Sequence, residues 1–137
     1  MISLRDQAAL IRGCFPSFRT NRPGGELVAN GEVQPTPRSS KYRLRITCRA
    51  TDNIPQVHVV SPLLVPREPG GSLPHIYLGD RLCLYLPFSG EWSKHRSIAQ
   101  TIIPWAIDWL FHYEVWHATG EWLGGGVEPN GVKSTAE

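Results

Sequence analysis

Residues 42–50, YRLRITCRA, alternate in character along their whole length. Tyr42, Leu44, Ile46, Cys48 and Ala50 fall on one side, and Arg43, Arg45, Thr47 and Arg49 on the other. A period of two marks a strand buried on one face. The stretch therefore predicts a strand that hides Cys48 and turns its arginines to solvent. ELVANGEVQP before it and QVHVVSPLLVP after it read as neighbouring strands, the second stopped by prolines that cannot extend a ladder. SFRTN reads as a shorter first strand. The polar turns RPGG, TPRSS and TDNIP join these segments, which predicts an antiparallel meander with one face in water.

Two segments repeat at helical spacing instead. In SLRDQAALIRG, Ser3 stands where an N-cap belongs, and Leu4, Ala8 and Ile11 share a face. Gly13 is expected to end this helix, with Cys14 and Phe15 packed behind it. In residues 98–116, Ile102, Trp105, Trp109, Leu110, Tyr113 and Trp116 recur at helical intervals. Pro104 is expected to begin or kink this second helix, and Gly124–Gly126 to end it. Its apolar surface predicts packing on the sheet. Between strands and helix, residues 67–93 form a long connection rich in proline and glycine, and such loops usually carry function. Residues 1–127 read as a single domain, and residues 128–137 as a flexible tail.

Composition narrows the classes. A chain of 137 residues suits one domain, and 41% hydrophobic with 19% charged residues is a globular balance. A net charge of +2 is too small to imply nucleic acid by itself, and none is expected as a partner. No apolar run reaches the roughly 18 residues of a membrane span. The N-terminal stretch carries Asp6 and lacks a long apolar core, so it does not read as a signal peptide. Three cysteines, an odd number, suit reduced thiols and a cytoplasmic location. There is no CxxC pair, and His112 and His117, five apart, do not share a helical face, so neither metal nor cofactor is expected. Gly124–Gly126 lacks the strand, lysine and hydroxyl of a phosphate loop.

The chemistry concentrates in HIYLGDRLCLYLP, residues 75–87. Leu82 and Leu84 alternate with Cys83 and Tyr85, so an extended segment that buries the leucines turns Cys83 outward. A free cysteine is otherwise a small buried hydrophobe. His75, eight residues before Cys83, admits the cysteine–histidine pair of a thiol hydrolase, although no Asn or Asp is placed to orient it.

The order of parts resembles the ubiquitin-conjugating (UBC) fold, over roughly residues 3 to 116: helix, four-stranded meander, proline-rich turn, histidine, LCL, EWS, helix. That family carries a His-Pro-Asn motif, then the catalytic cysteine in G-x-(I/L)-C-L, then a W-S before the next helix. The matching residues here are His75, GDRLCL with Cys83, and EWS with Trp92 and Ser93. The resemblance implies an α+β fold with an N-terminal helix, an antiparallel sheet of about four strands, an active-site loop and a C-terminal helix on the sheet. It implies that Cys83 carries the C-terminal glycine of a partner protein as a thioester and passes it to an acceptor. It further gives His75 a structural role in the loop, Asp80 a place beside the incoming amine, and Trp92 a place beneath the cysteine. Arg81, Lys94 and His95 are cationic candidates for favouring the thiolate.

The departures are also informative. Ile76 and Tyr77 stand where the family has proline and asparagine, and the loop to Cys83 is about two residues shorter. Transfer must then rely on Tyr77, a backbone N–H or a partner's group. The C-terminal half lacks the family's later helices and is similar to bacterial ubiquitin-conjugating-like proteins of anti-phage operons. The partner this implies first is a cGAS-like nucleotidyltransferase of a CBASS system. The alternatives are a bacterial ubiquitin-like protein, with an activating enzyme possible in either setting, and a catalytically silent UBC-like binding module.

Overall fold

A computed structural model describes residues 1–86 and 89–124. The expected tail from Glu128 and two of the three glycines at 124–126 lie outside the described residues. The first helix, α1, spans Leu4–Cys14, and the Ser3 hydroxyl accepts from the Asp6 N–H at 3.1 Å. Ala8 and Ile11 are buried, as their spacing predicts, together with Gln7. The helix runs one residue past Gly13, and there Cys14 is exposed rather than packed, while Phe15 does pack against the core. Position on the helix decides this: Cys14 lies off the stripe that Ala8 and Ile11 bury.

Four strands follow, β1 (Arg19–Asn21), β2 (Glu26–Val33), β3 (Tyr42–Arg49) and β4 (Gln56–Ser61), in an antiparallel sheet of order β1-β2-β3-β4. Tyr42, Leu44, Ile46 and Cys48 are buried and Arg43, Arg45 and Arg49 are exposed. Ala50, counted with the inward set by its period, lies beyond the end of β3 in an exposed turn, because pairing with β2 stops at Arg49–Glu26.

The second long helix, α2, spans Ile102–Thr119, with Pro104 in its first turn, where a missing N–H costs nothing. It starts later than the apolar run that begins at Ile98 and ends earlier than Gly124. Gly120 terminates it, at φ 86°, a left-handed conformation that glycine adopts without strain. The Arg67 Nε–H donates to the His117 carbonyl at 3.1 Å and so caps one of the carbonyls left open there. Ile102, Ile103, Ala106, Trp109, Leu110, Tyr113 and Trp116 are buried on α2 and share one core with Leu27, Ala29, Leu44, Ile46 and Val57 of the sheet.

Two polar joints fix the helices. The Glu114 carboxylate accepts from the Ser39 hydroxyl at 2.6 Å and the Tyr42 hydroxyl at 2.8 Å, tying α2 to the start of β3. Gln7, fully buried, donates to the Arg96 carbonyl and accepts from the Ile98 N–H, both at 2.9 Å, tying α1 to the run that leads into α2. Among the described residues no helix is long and apolar enough to cross a membrane.

Candidate active site

The long connection is not wholly irregular. Ile76–Tyr77 (β5) and Arg81–Leu82 (β6) pair as a hairpin, Ile76 against Leu82 and Tyr77 against Arg81. Leu78, Gly79 and Asp80 make the turn, Gly79 at φ 79° and Asp80 at φ 61°, closed by the Asp80 N–H on the Tyr77 carbonyl at 3.1 Å. Aspartate is among the few residues that tolerate a left-handed backbone. Asp80 serves the turn through its backbone, and its side chain is exposed.

Cys83 follows directly. Its N–H donates to the His75 carbonyl at 2.9 Å, extending the hairpin's pairing by one step. The same carbonyl accepts the Trp109 indole N–H at 3.2 Å. One oxygen thus sets the cysteine's backbone and ties it to α2. His75 itself is 3% exposed, sits at φ 53° and packs its ring 4.8 Å from that of Trp122. A bulky residue in this conformation costs of order 1–3 kcal/mol, offset only where surrounding contacts hold it.

Cys83 is half-buried and lines a groove of about 600 Å³ between the hairpin and α2. Beneath it, Tyr85 rests between Trp92 and Trp105, with ring centroids 6.3 and 6.2 Å away. Trp92, 9% exposed, donates its indole N–H to the Thr101 hydroxyl at 2.9 Å, at the threshold of α2. The Tyr77 side chain lies within interaction range of Cys83. Tyr77 also donates toward the Tyr85 carbonyl at 3.4 Å. Burial first, then the Cys83 contact, raises the Tyr77 pKa well above the ordinary phenol value, and the Arg81 guanidinium, 5.1 Å from its ring centroid, opposes the shift. Tyr77 is therefore a protonated hydroxyl near a sulfur, able to donate to a thiolate or to oxygen developing negative charge nearby.

The other cysteines differ. Cys48 is 1% exposed, and its thiol is pushed up to about 12 by burial and by the Asp52 and Glu26 carboxylates. Cys14 is on the surface.

Two groove residues escaped the sequence reading. Asp108 and His112 on α2 line the groove, 3.4 Å apart between Oδ2 and Nε2. Their spacing of four places them on one face of the helix, a signal present in the sequence. Of the cationic candidates, Arg81 and Lys94 line a second groove beyond Tyr77, and His95 is exposed. Among the described residues no three His, Cys, Asp or Glu side chains gather to hold a metal ion.

A helix, a four-stranded meander, a cysteine at the end of a short hairpin and a helix across the sheet make the α+β layout of ubiquitin-conjugating-like proteins. Within that class, the family model of the type II CBASS E2 protein matches residues 7–129, and the chain belongs to this family. The match runs through α2 and beyond, covering the C-terminal stretch where the likeness to ordinary ubiquitin-conjugating enzymes fades. No curated protein matches the chain.

Proposed function

We propose that the protein is a conjugating enzyme of a CBASS anti-phage system that carries the C-terminal glycine of a partner protein as a thioester on Cys83. The observation that carries this reading is the Cys83 side chain, half-buried in a groove with Tyr77 beside it, in a chain of the CBASS E2 family. The partner proposed first is a cGAS-like nucleotidyltransferase, and the setting is the cytoplasm.

In loading, the Cys83 thiolate attacks the carbon of a glycine carboxyl already activated as an acyl-adenylate or thioester. The C–S bond forms as AMP or the donor thiol leaves, and the Cys83 proton goes to solvent. In discharge, a neutral amine attacks the thioester carbon. The carbonyl oxygen becomes an oxyanion, the C–S bond breaks, an amide forms, and the amine's proton is lost to water while Cys83 leaves as thiolate. Tyr77 supplies the hydrogen bond that the family's asparagine gives elsewhere, first to the thiolate and then to the oxyanion. His75 holds the loop through its carbonyl, and Trp92 floors it through Tyr85.

The test is a gel shift with the activated partner. Wild-type protein should form an adduct that reductant removes. Cys83→Ser should form an oxyester resistant to reductant and cleaved by hydroxide, and Cys83→Ala should form none. A reductant-sensitive adduct on Cys83→Ala would remove Cys83 from the chemistry. Stable partner binding with no adduct on wild type would leave the chain a binding module.

A further inference from the structure

A second groove, of about 510 Å³, lies on the other side of Tyr77 from Cys83. The turn between β3 and β4 supplies one wall through Ile54 and Pro55, and the hairpin supplies another through Tyr77 and Arg81; Lys94 stands on a third. Leu84 and Tyr85 line both grooves, so they form the partition. Cys83 lines the first groove and Tyr77 the second, and the two side chains lie within interaction range of each other. The two spaces therefore adjoin near the reacting sulfur, with Leu84 and Tyr85 between them.

The charges in this second groove do not cancel. Asp52 is committed: one carboxylate oxygen pairs with Arg49 at 2.8 Å and the other accepts the Ile54 N–H at 3.1 Å. Among the described residues, neither Arg81 nor Lys94 has a carboxylate partner. Ile54, 42% exposed, leaves an apolar surface between them and Asp52.

We infer that this groove docks the acceptor, a peptide segment with acidic and apolar residues flanking the amine that it presents to Cys83. The inference rests on the thioester reading above and assigns the two grooves to two ligands: the carried tail on the Cys83 side, the acceptor on the Tyr77 side. Apolar side chains of the acceptor cover Ile54, and its carboxylates answer Arg81 and Lys94. The same cations disfavour a protonated amine close by, which helps deliver the neutral nucleophile that aminolysis needs.

The experiment uses the whole chain and one probe, a fluorescein-labelled peptide with a central lysine flanked by leucine and glutamate. Fluorescence anisotropy on unloaded protein measures docking without any dependence on Cys83. Binding should weaken about tenfold or more in Lys94→Glu and in Ile54→Asp, and for a peptide with arginine in place of glutamate. No binding to wild type, or equal binding by both variants, would overturn the inference. Single-turnover discharge from loaded protein then connects docking to transfer. Both variants should raise the peptide concentration needed for half-maximal discharge, while discharge to hydroxylamine, too small to need a groove, keeps its wild-type rate. Equal slowing with both amines would also overturn it. If the peptide binds as expected but no variant or wild type loads, the groove stands as a docking site and it is the Cys83 reading that falls.

Discussion

On the likeness to ubiquitin-conjugating enzymes, Tyr77 stands in for their asparagine, and a phenol in that place has a cost and a use. A phenol is longer than an amide and carries a single donor proton. Here it lies within interaction range of Cys83, with Arg81 over one face of the ring. Tyr77→Phe keeps the ring and removes only the hydroxyl. Loading should then change less than discharge, because the oxyanion on the way to the amide is the species that most needs a donor. Loss of one such donor costs about a hundredfold or more in rate where the site is dry, and less in this open groove. Single-turnover loading and discharge, measured separately on Tyr77→Phe, decide it; equal rates of discharge would take the hydroxyl out of the mechanism. The alternation of LCLY holds only for Leu82, which is buried. Leu84 is half-buried and lines the groove beside Cys83, and Tyr85 packs between Trp92 and Trp105, because β6 and its period of two end at Leu82. The nearness of Tyr77 to Cys83 was not legible, because it arises across a hairpin of two-residue strands, too short to show any period. Asp80 shapes the turn through its backbone, and its exposed carboxylate stays three residues before Cys83 in sequence.

Elements were read well where they were long and poorly where a single residue ended them. The four-strand meander followed from the period of two in β3 and the polar turns that flank the neighbouring segments, and the apolar stripe of α2 from period three to four. The end of α2 was placed at a triple glycine, whereas the lone Gly120 ends it, since one left-handed residue satisfies a helix terminus as well as three. Gly31 shows the reverse case. It stands in the middle of β2, where a strand gains nothing from glycine, and the structure gives the reason: a methyl group there would overlap the ring of Phe18, which is 2% exposed and packs against that backbone. The strand needs glycine for the close approach of a neighbour and not for its own dihedrals. Gly31→Ala should therefore destabilise the fold by about 1–3 kcal/mol, the usual cost of overpacking. Adding Phe18→Leu should recover part of that loss, because the smaller side chain can withdraw. Urea unfolding of the two single variants and the double variant gives the coupling; purely additive losses would mean that Phe18 is not what excludes the methyl.

At the scale of the whole molecule, the buried acids set a limit to alkaline stability. Cys48 is raised from the ordinary thiol value of 9.0 to about 12, by burial first and then by Asp52 and Glu26. Tyr42, Tyr77 and Tyr85 are raised as well, each chiefly by burial, with Glu114 adding to the first and Cys83 to the second. All four groups stay protonated in the folded chain at pH values where the unfolded chain releases the proton. The sign follows: below pH 9 both states hold the Cys48 proton and its contribution is flat. From 9 to about 12 only the folded state holds it, and stability falls by one proton's slope as pH rises. The tyrosines join from about pH 10 with the same sign. Cys48→Val removes the first of these while filling nearly the same space, and at pH 7 it should stay within about 1.5 kcal/mol of wild type. The thiol donates to the Asn53 side-chain oxygen at 3.4 Å, on a residue that water also reaches. Urea midpoints at pH 7, 9 and 10 should therefore drop less steeply for Cys48→Val than for wild type between pH 9 and 10, with a shared residual slope from the tyrosines. Identical pH profiles would mean that the Cys48 thiol ionises as readily in the fold as out of it, and that the inner face of β3 is wetter than its burial indicates.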